Sequence, residues 1–172
     1  WPIATAMSIL AIVALIGLPE PSSRTGKKNP APRSLEERTS LPLVQDHSLN
    51  YTPGRTEDIR QILLHAAQGD EYSARSLLKD PASKRSVHYF VTDAGTIYEL
   101  VDPKNTAWGA GPENPCSISV MAEGVGGLTS AQGTSLHLLV DELRSKHGKL
   151  PVRAYDRVAN PIPDDITSSL GR

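Results

Sequence analysis

Apolar and polar positions divide the chain into three stretches. The first eighteen residues carry no charged side chain and consist mostly of Ile, Ala, Leu and Val. A helix of this length spans about 27 Å, close to the roughly 30 Å of a bilayer's hydrocarbon layer. The pattern therefore predicts a transmembrane helix over residues 1–18, and its small residues, Ala11 and Ala14 among them, favour packing against other membrane helices. A cleaved signal peptide is the alternative, although the segment shows neither a basic start nor an A-x-A cleavage site.

The second stretch, residues 19–50, is rich in Pro, Ser and charged residues and has no sustained apolar period. Such a composition is typical of an extended tether. The triplet Asn50-Tyr51-Thr52 matches a glycosylation acceptor, a short pattern that also arises often by chance. The globular domain is expected over residues 51–172.

Within the third stretch, short apolar runs alternate with helical patterns. The run Ile62 to Leu64 predicts a buried strand, and "EYSARSLLKD" predicts a helix that stops before Pro81. "SVHYFVTDAGTIYELV" predicts a β-hairpin with its turn at Asp93-Ala94-Gly95, and "SISVMAEG" predicts another strand. A long helix is expected to begin at Thr129 or Ser130 and to stop at Gly148. These elements indicate an α/β (α+β) fold with a central mixed sheet flanked by helices.

Composition excludes several classes of function. The net charge is −1, and the acidic and basic residues are interleaved, so no basic field is available to hold nucleic acid. Cys116 is the only cysteine, which rules out an intrachain disulfide and a cysteine-based zinc cluster. The glycines of "GVGGLTS" lack the lysine of a phosphate-binding loop.

The order of several short motifs carries the strongest information about function. A strand that holds a histidine is followed by "SVHYFVTDAGTIYELV", "TAWGAG", "NPCSISVMAEG", "TSAQ" and "RAYDRVANPIPDD". This series resembles the zinc-dependent N-acetylmuramoyl-L-alanine amidases and the related peptidoglycan recognition proteins, over about residues 58 to 167. The resemblance implies that family's fold and a zinc ion held by two histidines and an aspartate or cysteine. A water bound to such a zinc attacks the amide between muramic acid and L-alanine.

At the metal positions implied by the resemblance, one of two histidines is replaced. His65 matches the first zinc histidine, whereas Tyr155 stands where the family has its second. Asp165 matches the third ligand if the segment "NPIPDD" is aligned without an insertion. Tyrosine binds zinc as phenolate, and its ionisation at pH 7 costs roughly 4 kcal/mol before any compensation by the metal.

The positions that the family uses for proton transfer and around its cleft have also changed. Met121 replaces the catalytic glutamate, while Glu123 retains the second glutamate of the same motif. Pro163 replaces the lysine, and Gly109 replaces the histidine of A-W-H-A-G. His88 matches a histidine of the family that is not a metal ligand. Because loss of a general acid or base removes a factor of roughly 10² to 10⁴ in rate, the resemblance predicts a degenerate site with no zinc and no catalysis.

The sequence therefore predicts a catalytically inactive amidase-like domain on a membrane tether. Its expected role is that of a structural or accessory subunit, with other membrane-protein subunits as partners. The alternatives are a peptidoglycan-binding module without catalysis and an active zinc amidase. Arg24, Lys27 and Lys28 after the apolar segment favour a cytoplasmic domain by charge. The resemblance instead places the domain of a single-pass bacterial protein on the periplasmic side, where peptidoglycan lies, and we adopt that expectation.

Overall fold

A computed structural model of the chain describes residues 41–124, 127–155 and 168–171. The predicted membrane helix and the tether up to residue 40 lie outside these ranges. Within them, no helix is both long and apolar enough to cross a membrane. The strands are β1 (Leu43–Gln45), β2 (Tyr51–Thr52), β3 (Gln61–Ala66), β4 (Tyr89–Val91), β5 (Ile97–Glu99), β6 (Thr106–Ala107), β7 (Ser117–Ala122) and β8 (Val152–Ala154). The helices are α1 (Glu71–Lys79) and α2 (Ser130–His147), with 3₁₀ turns at Pro81–Ser83 and Gly111–Cys116.

A six-stranded sheet in the order β1-β5-β4-β7-β3-β8 forms the centre of the described domain. The β4–β5 pair is antiparallel, and the other pairs of this sheet are parallel. A separate antiparallel ribbon joins β2 to β6. The predicted class, a mixed central sheet with flanking helices, is confirmed.

The local sequence patterns agree with the elements that form. The β4–β5 hairpin turns at Asp93 to Gly95, and Gly95 has φ +82°, a conformation that glycine adopts without strain. Thr129 caps α2, with reciprocal bonds to Gln132, and the helix ends at Gly148 with φ +86°. The expected boundaries of this helix are therefore confirmed.

The two faces of the sheet have different environments. On β7, Ile118, Val120 and Ala122 belong to the apolar core that also contains the buried residues of α2. Because side chains alternate along a strand, Ser117, Ser119 and Met121 point to the opposite face. That second face carries the polar residues of the candidate site.

Part of the segment predicted as a tether, residues 19–50, belongs to the folded domain. Its residues 43–45 form edge strand β1, which pairs in parallel with β5. Leu41 and Leu43 pack against the apolar core, and Ser48 and Asn50 are buried. The stretch is too short to show a periodic pattern, so its place in the sheet follows from tertiary packing. Asn50 is buried, so the acceptor side chain of the glycosylation triplet is not accessible in the folded domain.

Candidate functional site

An open cleft of about 590 Å³ lies at the carboxyl ends of β3 and β7. These strands run parallel, and His65 pairs in register with Met121, so both residues reach the same edge of the sheet. One wall comes from α1, through Ala74, Leu77 and Leu78. The rim comes from the loops at residues 85–87 and 108–111.

His65 forms the polar floor of this cleft. Its side chain is buried, and among the described residues its Nε2 atom has no hydrogen-bond partner. Burial lowers the pKa of His65 to about 4, because the charged imidazolium is poorly solvated there. The ring is therefore neutral at pH 7 and keeps one unused polar nitrogen.

Tyr155 stands beside this histidine. Strand β8 pairs with β3, and the backbone N–H of Tyr155 donates to the carbonyl of Leu64 at 3.0 Å. The centroids of the His65 and Tyr155 rings lie 4.7 Å apart, with an angle of 51° between their planes. The structure thus brings together His65, Met121 and Tyr155, three positions that the resemblance had linked.

The donor atoms of the described residues do not fit a three-ligand zinc site. His65 suits a metal, since its imidazole is neutral and Nε2 is unbonded. Its neighbour Tyr155 is a phenol, which must lose its proton to ligate zinc. No cluster of three His, Cys, Asp or Glu side chains that could hold a metal occurs in residues 41–124, 127–155 or 168–171. Asp165 and Pro163, also implied by the resemblance, lie outside the described residues.

Glu123 has a structural position beside the cleft and does not line it. One carboxylate oxygen accepts from the backbone N–H of Glu71 at 2.7 Å, and the other accepts from that of Asp93 at 2.8 Å. The side chain thereby connects the first turn of α1 to the β4–β5 hairpin. The assignment of Glu123 to a vestigial cleft stays a prediction, and the contacts seen here are structural ones.

His88 is likewise a structural residue behind the cleft. It is fully buried, and its Nδ1 accepts from the backbone N–H of Ser119 at 2.9 Å. Its Nε2 lies 3.2 Å from the carbonyl oxygen of Asn105 and 2.8 Å from the Arg55 guanidinium. Burial and the charge of Arg55 lower the pKa of His88 to about 3. The neutral ring connects the start of β4 to β7. Its assignment to a vestigial cleft stays a prediction.

Gly109 lines the cleft at a point where no side chain fits. A Cβ atom built on Gly109 would lie 2.6 Å from the carbonyl oxygen of Ser86 and 3.4 Å from a methyl group of Val87. Real Cβ contacts are longer than the first of these distances. Glycine at this position, where the resemblance implies a histidine, is therefore favoured by the close approach of two loops.

Two residues of the rim were missed as site residues in the sequence. Trp108 is held by its indole N–H, which donates to Thr52 Oγ1 at 2.9 Å, and by its backbone N–H, which donates to Ser86 Oγ at 2.8 Å. Arg85 is exposed, and its guanidinium makes no ion pair with any described residue. Their positions inside "TAWGAG" and directly before "SVHY" were the available signal.

Comparison with known families identifies the class of protein. The sequence profile of the N-acetylmuramoyl-L-alanine amidases (Amidase_2) matches residues 55–164, which is more than half of the chain. The chain belongs to this family. A comparison with curated protein sequences gave no match.

Solved structures share the fold at low sequence identity. A selenomethionine derivative of AmpD is 19% identical, with a TM-score of 0.65 over 78% of this chain and 98% of that one. The amidase AmiD from E. coli, solved with anhydro-N-acetylmuramic acid-L-Ala-D-γ-Glu-L-Lys, is 22% identical, with a TM-score of 0.58 over 66% of this chain and 57% of AmiD. The Drosophila peptidoglycan recognition protein SD is 13% identical, with a TM-score of 0.56 over 67% of this chain and 83% of that one. The fold is therefore shared by a protein named as an amidase and by one named as a recognition protein.

Proposed function

We propose that this chain is a catalytically inactive member of the amidase family whose cleft binds peptidoglycan fragments without cleaving them. The observation that supports this proposal most strongly is the set of three side chains at the cleft floor, His65, Tyr155 and Met121. A neutral His65, whose Nε2 has no hydrogen-bond partner among the described residues, lies beside a tyrosine and a methionine, where hydrolysis would need a second metal ligand and a proton-transfer group. The cleft itself remains open.

The character of the cleft supports an anionic ligand with apolar parts. Leu77, Met121 and the rings of Trp108 and Tyr155 provide apolar and aromatic surface, and Arg85 provides a positive charge. No Asp or Glu is among the described residues that line it. The muropeptide seen with AmiD carries free carboxylates on its stem peptide, and a guanidinium binds carboxylates through paired hydrogen bonds.

We expect Arg85→Gln to weaken binding of this muropeptide about tenfold, since one charge-assisted hydrogen bond contributes about 1.5 kcal/mol or more. Arg60→Gln is the matched control, because Arg60 is an exposed arginine outside the cleft that pairs with Glu57. Titration calorimetry at two salt concentrations would measure both variants, with the larger salt effect expected for the wild type and Arg60→Gln. Equal affinities for all three proteins would show that Arg85 does not contact the ligand. If the wild type does not bind the muropeptide, the proposed function is wrong.

A second candidate role follows from the uncharged segment at residues 1–18. We propose that this segment is a single membrane-spanning helix and that the domain, on the periplasmic side, serves as an accessory subunit of a membrane protein complex. Such a subunit is expected to copurify with its partners from detergent-solubilised membranes in fixed stoichiometry, and Ala11→Leu with Ala14→Leu should reduce that copurification by blocking close helix approach. Recovery of the wild type only with cell-wall sacculi would favour the binding module alone.

A further inference from the structure

Asn50 lies directly behind the rim of the cleft without lining it. Its side chain is 2% exposed, and its amide group donates to the carbonyls of Asp80 at 2.8 Å and Arg85 at 3.0 Å. An amide nitrogen has two N–H donors, so these two bonds use its full capacity. The carbonyl of Leu78, at 3.3 Å, is a weaker third neighbour.

The backbone carbonyl of Asn50 extends this network to the loop that carries Trp108. It accepts a hydrogen bond from the hydroxyl of Ser86, and Ser86 Oγ in turn accepts from the backbone N–H of Trp108. Leu78, Arg85, Ser86 and Trp108 all line the cleft. One buried residue outside the cleft is thus connected to four residues that form its wall and rim.

The loop that carries Arg85 needs such support. Lys84 adopts φ +51°, a left-handed conformation that non-glycine residues seldom occupy unless their surroundings impose it. Ser83 Oγ accepts from the backbone N–H of Arg85 at 3.2 Å, and Asn50 holds the carbonyl of the same residue. Without Asn50, this loop would lose the side-chain hydrogen bond that holds the carbonyl of Arg85.

The residues just before Asn50 hold the adjoining wall. Ser48 Oγ donates to the carbonyl of Leu78 at 2.7 Å, and Asp46 pairs with Arg75 and Lys79 of α1. Segment 46–50 therefore fixes the carboxyl end of α1 as well as the rim.

We infer that Asn50 is a positioning residue of the cleft and that segment 46–50 sets the affinity for ligand by preorganising Arg85 and Trp108. This inference rests on the proposed function, since it concerns the same cleft. A binding surface whose groups are already in place loses less conformational freedom when a ligand binds, and its affinity is correspondingly higher. Asn50 makes that contribution without touching the ligand.

The test compares the same chemical change at two buried amides. Asn50→Asp leaves a carboxyl that can donate at most one hydrogen bond, so we expect muropeptide affinity to fall about tenfold, the equivalent of about 1.4 kcal/mol or roughly one buried hydrogen bond. Gln132→Glu is the control, because Gln132 is equally buried and donates to the carbonyl of Glu123 at 2.9 Å, away from the cleft lining. Amide hydrogen exchange in the full-length protein should accelerate over residues 78–87 and 106–111 in Asn50→Asp and stay unchanged there in Gln132→Glu.

Different outcomes test the positioning role of Asn50 and the proposed function. If the wild type binds, two results would overturn the positioning role. One is undiminished affinity in Asn50→Asp, and the other is an equal loss of affinity in Gln132→Glu. Absence of wild-type binding would overturn the proposed function, and unchanged exchange at the rim would still overturn the structural part of the inference. If Asn50→Asp does not fold, Ser48→Ala is the milder variant. It removes the bond that Ser48 Oγ donates to the carbonyl of Leu78 and the one it accepts from the backbone N–H of Asn50, and we expect a loss of affinity of about threefold. Unchanged affinity and exchange in that variant would also contradict the inference.

Discussion

Incubation of the purified protein with a muropeptide and added zinc is expected to release no stem peptide, and Tyr155→His alone is expected to leave the rate at background. The substitution supplies an imidazole beside His65, at the ring distance now occupied by the phenol. It does not supply a proton-transfer group, because Met121 still stands in register with His65. Loss of such a group lowers a rate by roughly 10² to 10⁴, even when the metal is bound.

Chromatography of the reaction products, with an active amidase of the same family as positive control, would measure this directly. The zinc content of both proteins should be determined on the same samples, so that metal binding and turnover are separated. Stem peptide released by Tyr155→His at a rate well above the wild type would mean that the tyrosine alone blocks catalysis. Release by the wild type would mean that the chain is an active amidase.

We expect substitutions at Gly109, where the resemblance implies a histidine, to destabilise the protein. Gly109→His and Gly109→Ala both add a Cβ that would meet the carbonyl oxygen of Ser86 at 2.6 Å, so two loop backbones must move apart. Overpacking of this kind costs about 1–3 kcal/mol. Chemical denaturation monitored by circular dichroism should therefore show a lower free energy of unfolding for either variant.

Gly133→Ala is the matched control for this prediction. Gly133 lies within α2, and a Cβ added there has nothing within 4 Å. Alanine is favoured over glycine inside a helix by up to about 1 kcal/mol, so this variant should be more stable than the wild type. Equal stability of Gly109→Ala and the wild type would show that the loops at Ser86 and Gly109 separate at little cost.

Local sequence signals predicted the parts of the fold that depend on neighbours in the chain. The hairpin at Gly95 and the cap of α2 at Thr129 rest on turn and capping chemistry, which acts over a few residues. The order of motifs was sufficient to place His65, Met121 and Tyr155 together. Strand β1 was missed because its pairing with β5 joins residues more than fifty positions apart.

The roles of individual polar residues were harder to predict, for the same physical reason. Glu123 and His88 match motif positions, yet their hydrogen bonds go to Glu71, Asp93 and Ser119, which no local pattern connects to them. Asn50 was assigned to a tether because nothing beside it indicates burial. The carbonyls that its side-chain amide contacts lie 28 to 35 residues away in the sequence.

The central claim, that the cleft binds muropeptide and leaves it intact, is tested most directly by recovering the ligand from the complex. The full-length protein would be incubated with anhydro-N-acetylmuramic acid-L-Ala-D-γ-Glu-L-Lys and zinc, separated from free ligand by gel filtration, and denatured for mass spectrometry. We predict the intact muropeptide in the protein fraction, with a reduced amount for Arg85→Gln. Recovery of the separated sugar and peptide, or of no ligand at all, would contradict the account.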